Sequence, residues 1–205
     1  MKETLLIIGS YLLGSLNFAI IFSKFLKKSD IRERDHAGAS GVFRQYGPYL
    51  GTLTLVLDLL KGALVGWLAI LLSVEAWGLV LSGLAVVAGH DWPIFFGFSG
   101  GGGLATLFGF LVVTLPVDTG IFTGATLLLA LLFWKTPLGK AVRFLGRPIP
   151  AAAIFGILAF FIYLILKYGF FWYGLMVLLL GLEIGIRRLV VLINDRRREK
   201  LGNPN

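Results

Sequence analysis

Cysteine is absent from this 205-residue chain, and histidine occurs only twice. The first absence excludes disulfides, thiolate metal centres and any relay through a protein thiol. The second argues against a zinc site, which takes three or four ligands from His, Cys and carboxylates. Charge is scarce too: Asp, Glu, Lys and Arg make up 15% of the residues, against about 25% in a soluble domain. Hydrophobic residues reach 57%, and the mean hydropathy is +0.86. A soluble chain of this size must cover a large surface with polar groups, and this composition does not supply them. An ordinary soluble enzyme and a disordered chain are both excluded. The expectation is an all-α, polytopic integral membrane helical bundle. Length allows one transmembrane domain over residues 1–205, ending in a basic tail at 189–205.

The apolar runs are continuous and lack period-2 alternation, so they read as helices rather than barrel strands. A bilayer core needs about 20 apolar residues per helix. Spans are predicted at 4–25, 49–72, 76–96, 104–117, 119–134, 151–167 and 170–188, about seven in all. Pro116, Asp118 and Gly120 supply a turn between the fourth and fifth. The N-terminal stretch has no clear small-residue cleavage site, so it reads as a retained first helix. Glycine, at 27 residues, suits close helix packing in lipid.

The formal charge is +8, and basic residues cluster in three segments. Sixteen of the 19 lie from the end of span one to span two, between spans five and six, and from the end of the last span through the tail. Lys2 and Lys167 fall on the other side, and Lys61 lies within the second span. Basic residues favour the cytoplasmic face, which places the N-terminus outside and the C-terminus inside. The charge therefore points to a lipid bilayer and not to nucleic acid. Residues 136–147 place Lys140, Arg143 and Arg147 on one helical face, which fits either an interfacial helix or a plain basic loop.

A few polar features interrupt this pattern. Segment 89–106, GHDWPIFFGFSGGGGLAT, joins two spans through Pro93 and a run of glycines. Glycine backbone can turn its N–H groups toward one anion, and the next helix adds its positive end. The segment is either a phosphate or carboxylate site or a flexible interhelical loop. His90 and Asp91 close the preceding span, where His90 is either a general base or a hydrogen-bonded structural residue. Asp58 and Lys61, at i and i+3, share one helix face as an ion pair or as the border of an anionic ligand. Glu183 and Arg187 form a similar pair in the last span. Segment 30–47 is a polar loop offering the Ser40 hydroxyl and the Arg44 guanidinium, a group suited to phosphate.

In chain order, the residues GSLNFAIIFSKF, DIR, GAS-GVFR, LDLLKG and GHDWPIFFGF followed by glycines and AT resemble one family. It is the bacterial membrane glycerol-3-phosphate acyltransferase (PlsY) family, whose donor is acyl phosphate. The resemblance runs over about residues 10–110. It implies transfer of an acyl group from acyl phosphate to the sn-1 hydroxyl of glycerol 3-phosphate, giving lysophosphatidic acid for phospholipid synthesis. It also implies a site on the cytoplasmic side of the bacterial inner membrane, with no metal and no cofactor. Ser40 and His90 then become the expected catalytic residues. Ser15, Gly38, Arg44, Lys61, Ser99, Gly100, Gly101, Gly102, Gly103 and Thr106 become the expected substrate-binding residues.

The departures are specific. The family's first loop, roughly GSGN-x-GATN, is shortened here, with Ser40 in place of Thr and Gly41 in place of Asn. The family's KGGKG reads SGGGG, so Ser99 and Gly102 stand where two lysines are expected. Each charged hydrogen bond is worth about 1.5–3 kcal/mol, so two lost contacts weaken phosphate binding by about 3–6 kcal/mol unless other groups compensate. Lys140, Arg143 and Arg147 are the candidates in sequence for that role. The alternative is a catalytically degenerate relative that binds a lipid, an anion or a partner subunit. A small transporter ranks below both, because no inverted repeat is apparent.

Overall fold

Why the first long apolar run does not stay one helix is the first thing the fold explains. The computed structural model describes residues 1–135, 159–160 and 162–168, and among these all regular structure is helical. The helices are α1 (Lys2–Gly14), α2 (Phe18–Lys27), α3 (Ala39–Tyr46), α4 (Pro48–Leu71), α5 (Ala76–Asp91), α6 (Leu104–Thr114) and α7 (Pro116–Lys135). The expected span 4–25 is thus broken at residues 15–17. Asn17 takes an extended conformation, and its side-chain oxygen accepts the Ile20 N–H at 3.1 Å, starting a new helix. The expected loop 30–47 is also corrected: it holds a 3₁₀ turn, Ile31–Glu33, and the whole of α3. Gly47 ends α3 with φ +87°, and Pro48 opens α4 at the first helical position, where its missing N–H loses nothing.

The other boundaries shift by a few residues. Pro93 stops α5 at Asp91, leaving a 3₁₀ turn at Ile94–Phe96. Pro116 begins α7 instead of lying in a turn before it. Residues 159–160 and 162–168 are helical, within the expected span 151–167 and one residue past it. The interfacial segment 136–147, the span 170–188 with Glu183 and Arg187, and the basic tail lie outside the described residues.

Among the described residues, three helical stretches are long and apolar enough to cross a membrane: Lys2–Lys27, Pro48–Leu71 and Ala76–Phe96. Their burial is inverted relative to a soluble protein. On α4 the buried face carries Thr54, Asp58, Lys61, Gly62 and Gly66, while Leu60, Leu64, Trp67 and Leu71 are exposed. Polar and small residues inside, with large apolar residues outside, is the arrangement a lipid solvent favours.

The chain forms two compact units, of which the first contains residues 1–114 and the second residues 115–178. In the first, α1 packs along α5 and α4 along α6. Glycines set both contacts. A Cβ on Gly62 would strike the Thr106 carbonyl, and one on Gly109 would strike the Leu59 carbonyl. The pair α4 and α6 therefore touches backbone to backbone. Gly14 and Gly89 do the same for α1 and α5, against the carbonyls of Val86 and Tyr11. In the second unit, the buried Asp118 carboxylate accepts hydrogen bonds from Tyr163, Lys167 and Tyr168 at 2.6–2.8 Å. Phe122 and Phe160 pack beside it with ring centroids 4.6 Å apart.

Candidate active site

The break between α1 and α2 leaves carbonyls at the end of α1 without helical partners. The Lys61 ammonium, arriving from α4, fills that role. It donates to the Gly14 and Leu16 carbonyls at 3.1 and 3.2 Å. It also pairs with Asp58 Oδ1 at 3.0 Å and lies 2.7 Å from His90 Nδ1 on α5. Both side chains of the ion pair are about 2% exposed. The cation sits at the negative end of the α1 dipole, which adds to its stabilisation. One buried charge thus joins α1, α4 and α5.

This contact sets the polarity of His90. Nδ1 lies 2.7 Å from the Lys61 ammonium, which can only donate to it, and 3.5 Å from Asp58 Oδ1, which can only accept from it. With the nearer Lys61 as its partner, the neutral ring carries its proton on Nε2, the nitrogen beside the Gly101 backbone. In this state His90 presents a donor at Nε2 rather than a base.

A second clasp fixes the loop after α5. The Arg32 guanidinium donates to the carbonyls of Phe96 and Ser99 at 2.7 and 3.0 Å. Its other nitrogens pair with Asp30 at 2.6 and 2.8 Å. These bonds from Arg32 hold the Asp30 carboxyl down at about 2, well below its usual 3.8. Asn17 ties the opposite end, donating to the Ala37 carbonyl at 3.1 Å and the His90 carbonyl at 3.4 Å. Beneath the loop, Ala19, Ile20, Ile31, Ala37, Val42 and Leu50 form a buried apolar cluster.

Between these supports lies a cavity of about 630 Å³. Its lining includes polar or backbone-exposing residues, namely His36, Gly38, Ser40, Asp58, His90 and the glycine run 100–103. Apolar side chains line it too: Leu55 and Leu59 of α4 with Leu104 and Phe108 of α6. Within the glycine run the backbone is not uniform. Gly100 and Gly101 donate their N–H groups to the Asp91 and His90 carbonyls at 3.0 and 3.1 Å. Gly102 and Gly103 make no such bond among the described residues, and Gly103, at φ +61°, turns the chain into α6. The amides facing an anion are therefore those of Gly102, Gly103 and the first turn of α6.

The expected site residues divide accordingly. Gly38, Ser40, His90 and Gly100 to Gly103 line the cavity. Five others do not. Arg44 makes a bidentate pair with Asp35 at 2.6 and 2.7 Å and points its charge there. Lys61 is spent on the carbonyls and side chains already described. Ser15 is fully buried, donating to the Tyr11 carbonyl at 2.8 Å. Ser99 contributes its carbonyl to the Arg32 clasp. Thr106 is buried in the contact between α4 and α6. Lys140, Arg143 and Arg147 lie outside the described residues. Sequence reasoning passed over His36, Asn17 and Arg32. The signal for Asn17 was there: an Asn immediately before the apolar run of α2 is a helix-start residue.

The sequence profile of the family described as glycerol-3-phosphate acyltransferase matches residues 4–192. The chain belongs to this family. A relative in Halalkalibacterium halodurans, named glycerol-3-phosphate acyltransferase, is 41% identical over 117 residues, which covers 55% of this chain and 57% of that one. The chain thus spans little more than half the length of that relative in the matched region. Among solved structures it resembles PlsY (YgiH), an integral membrane glycerol 3-phosphate acyltransferase, in its glycerol 3-phosphate form. That match has a TM-score of 0.76 and 29% identity, covering 100% of this chain and 95% of the other. The lysophosphatidic acid form of PlsY matches with a TM-score of 0.73 and 28% identity over the same shares. The apolar, membrane-length helical stretches of the chain are in keeping with the integral membrane character of that PlsY.

Proposed function

We propose that the chain transfers an acyl group from an acyl phosphate to glycerol 3-phosphate, producing lysophosphatidic acid for phospholipid synthesis. The observation that carries this reading is the mixed lining of the cavity. Backbone amides with hydroxyl and imidazole groups suit a phosphate, and aliphatic and aromatic carbon suits an acyl chain. A pocket of this size and composition suits a small amphiphile.

The chemistry asks little of protein nucleophiles. The glycerol hydroxyl oxygen attacks the acyl carbonyl carbon, forming the ester C–O bond. The bond between that carbon and the phosphate oxygen breaks, and inorganic phosphate departs. The hydroxyl proton goes to a phosphate oxygen of the substrates. Ser40 orients the acceptor by hydrogen bonding. His90 donates from Nε2, where it stabilises the oxygen that gains charge. The amides of Gly102, Gly103 and the first turn of α6 hold the phosphate. On this reading the chain is a single transmembrane domain of about seven spans in the bacterial inner membrane. Its N-terminus is outside and its C-terminus cytoplasmic, as the basic segments require.

The test is to purify the protein in lipid nanodiscs, supply acyl phosphate and glycerol 3-phosphate, and measure lysophosphatidic acid. Production dependent on both substrates supports the reading. The Gly102→Lys variant is a sensitive companion, because a Cβ there meets nothing within 4 Å and a lysine enters without displacing backbone. If activity appears only in that variant, the wild-type chain is not an acyltransferase.

A further inference from the structure

The two lysines replaced by Ser99 and Gly102 raise the question of what meets a substrate's negative charge. Among the described residues that line the cavity, the only side chains able to carry positive charge are His36 and His90. His90 is 3% exposed, and its Nδ1 is engaged by Lys61. The nearby cations are committed elsewhere: Lys61 to its carbonyls and Asp58, Arg32 to Asp30 and the loop carbonyls, Arg44 to Asp35. His36 is different. Its residue is exposed, its imidazole makes no hydrogen bond among the described residues, and it lines the cavity with Gly38, Ser40 and the glycine run.

Its position is also enforced. The His36 N–H donates to Asp35 Oδ1 at 2.7 Å, and its carbonyl accepts the Gly38 N–H at 2.8 Å. That carbonyl lies so close to Gly41 that any Cβ there would strike it. The glycine that replaces the family's Asn thus leaves room for the His36 carbonyl, and His36 lies at the cavity.

We propose that His36 is a substrate-binding residue, donating to the phosphate of a bound phosphomonoester or acyl phosphate together with the amides of Gly102 and Gly103. An imidazole donates in either protonation state and adds a full charge when protonated. This inference rests on the acyltransferase reading for the identity of the phosphate, but not for the site itself.

The experiment compares wild type with His36→Gln and His36→Lys in nanodiscs. It measures KM for glycerol 3-phosphate and for acyl phosphate separately, and direct calorimetric binding of glycerol 3-phosphate and of inorganic phosphate. The Gln variant is expected to raise one of the two KM values by about ten- to a hundredfold, the size of one charge-assisted contact. The Lys variant should restore it, with the melting temperature unchanged in both. Which KM moves tells which substrate's phosphate His36 meets. If wild type turns over and His36→Gln leaves both KM values unchanged, the proposal is wrong and the acyltransferase reading stands. If wild type makes no product yet binds phosphate with His36-dependent affinity, the site stands and the reaction reading falls. If wild type binds neither probe at millimolar concentration, the proposal is overturned.

Discussion

Replacing Lys61 by methionine tests whether one buried ammonium holds α1, α4 and α5 together. Methionine keeps most of the length and apolar volume of the stem, so packing changes little. What is lost is the charge. Asp58, with its side chain 2% exposed, would then face an interior with no countercharge from its own helix. Removing one partner of such a buried pair costs about 3–5 kcal/mol, because the remaining charge stays desolvated. The Gly14 and Leu16 carbonyls lose their donor as well, which adds to the cost. Neutralising both partners, in Asp58→Asn with Lys61→Met, should be less damaging than the single change. The assay is reversible unfolding in mixed micelles titrated with denaturing detergent, read for wild type, both single variants and the double variant. A double-mutant cycle then isolates the coupling. The reasoning fails if Lys61→Met loses less than about 1 kcal/mol, or if the two single effects simply add.

Four further outcomes are expected. Gly62→Val should unfold or mispack the protein, because its Cβ would strike the Thr106 carbonyl and backbone would have to part; a thermal melt in detergent within a degree of wild type would contradict this. Gly41→Asn, although it restores the family residue, should reduce stability by about 1–3 kcal/mol through overpacking against the His36 carbonyl, and a neutral or stabilising effect in the same melt would refute it. Asp30, held near 2 chiefly by its bonds to Arg32, contributes stability that is complete above 3.8 and is lost as pH falls toward 2; limited proteolysis of the loop 96–99 should therefore accelerate only across that window, and in Asp30→Asn the acceleration should vanish. Asp118→Ala leaves two tyrosines and Lys167 without their shared acceptor, so it should destabilise by about 2–4 kcal/mol, while a loss under about 0.5 kcal/mol would show those bonds to be incidental.

How much of this was legible in the sequence depends on whether the deciding interaction is local. Membrane class and most helices follow from composition and apolar run length. Gly47 and Pro48 mark a boundary in two adjacent letters. The ion pair of Asp58 and Lys61 follows from spacing on one helix. The break at residues 15–17 is harder, since apolar content continues through it. Only Asn17 marks it, and its reward is long-range: the freed carbonyls are worth exposing because Lys61, more than forty residues away, caps them. Lys61 itself shows the limit of reasoning from residue type. A lysine in an apolar helix suggests an anion, and the partner it meets is the end of another helix. Arg44 misled in the same way, because Asp35 comes close to it only once α3 has formed.

The same logic accounts for the lysines absent at 99 and 102. Read one position at a time, they look like lost function. In three dimensions Gly41 meets the His36 carbonyl, and His36 and Gly102 line one cavity. The loop that supplies Ser40 is shorter, and its carbonyl at His36 presses on a residue that can only be glycine. The imidazole so placed lines the same cavity as Gly102 and Gly103. An anion held by backbone N–H groups, a helix N-terminus and one imidazole needs fewer ammonium groups, since partial charges fixed in a cavity act with little solvent screening. Degeneration predicts no relation between such losses. The direct contact of Gly41 with the His36 carbonyl, and the place of His36 and the glycine run in one cavity lining, fit the proposed rearranged phosphate site instead.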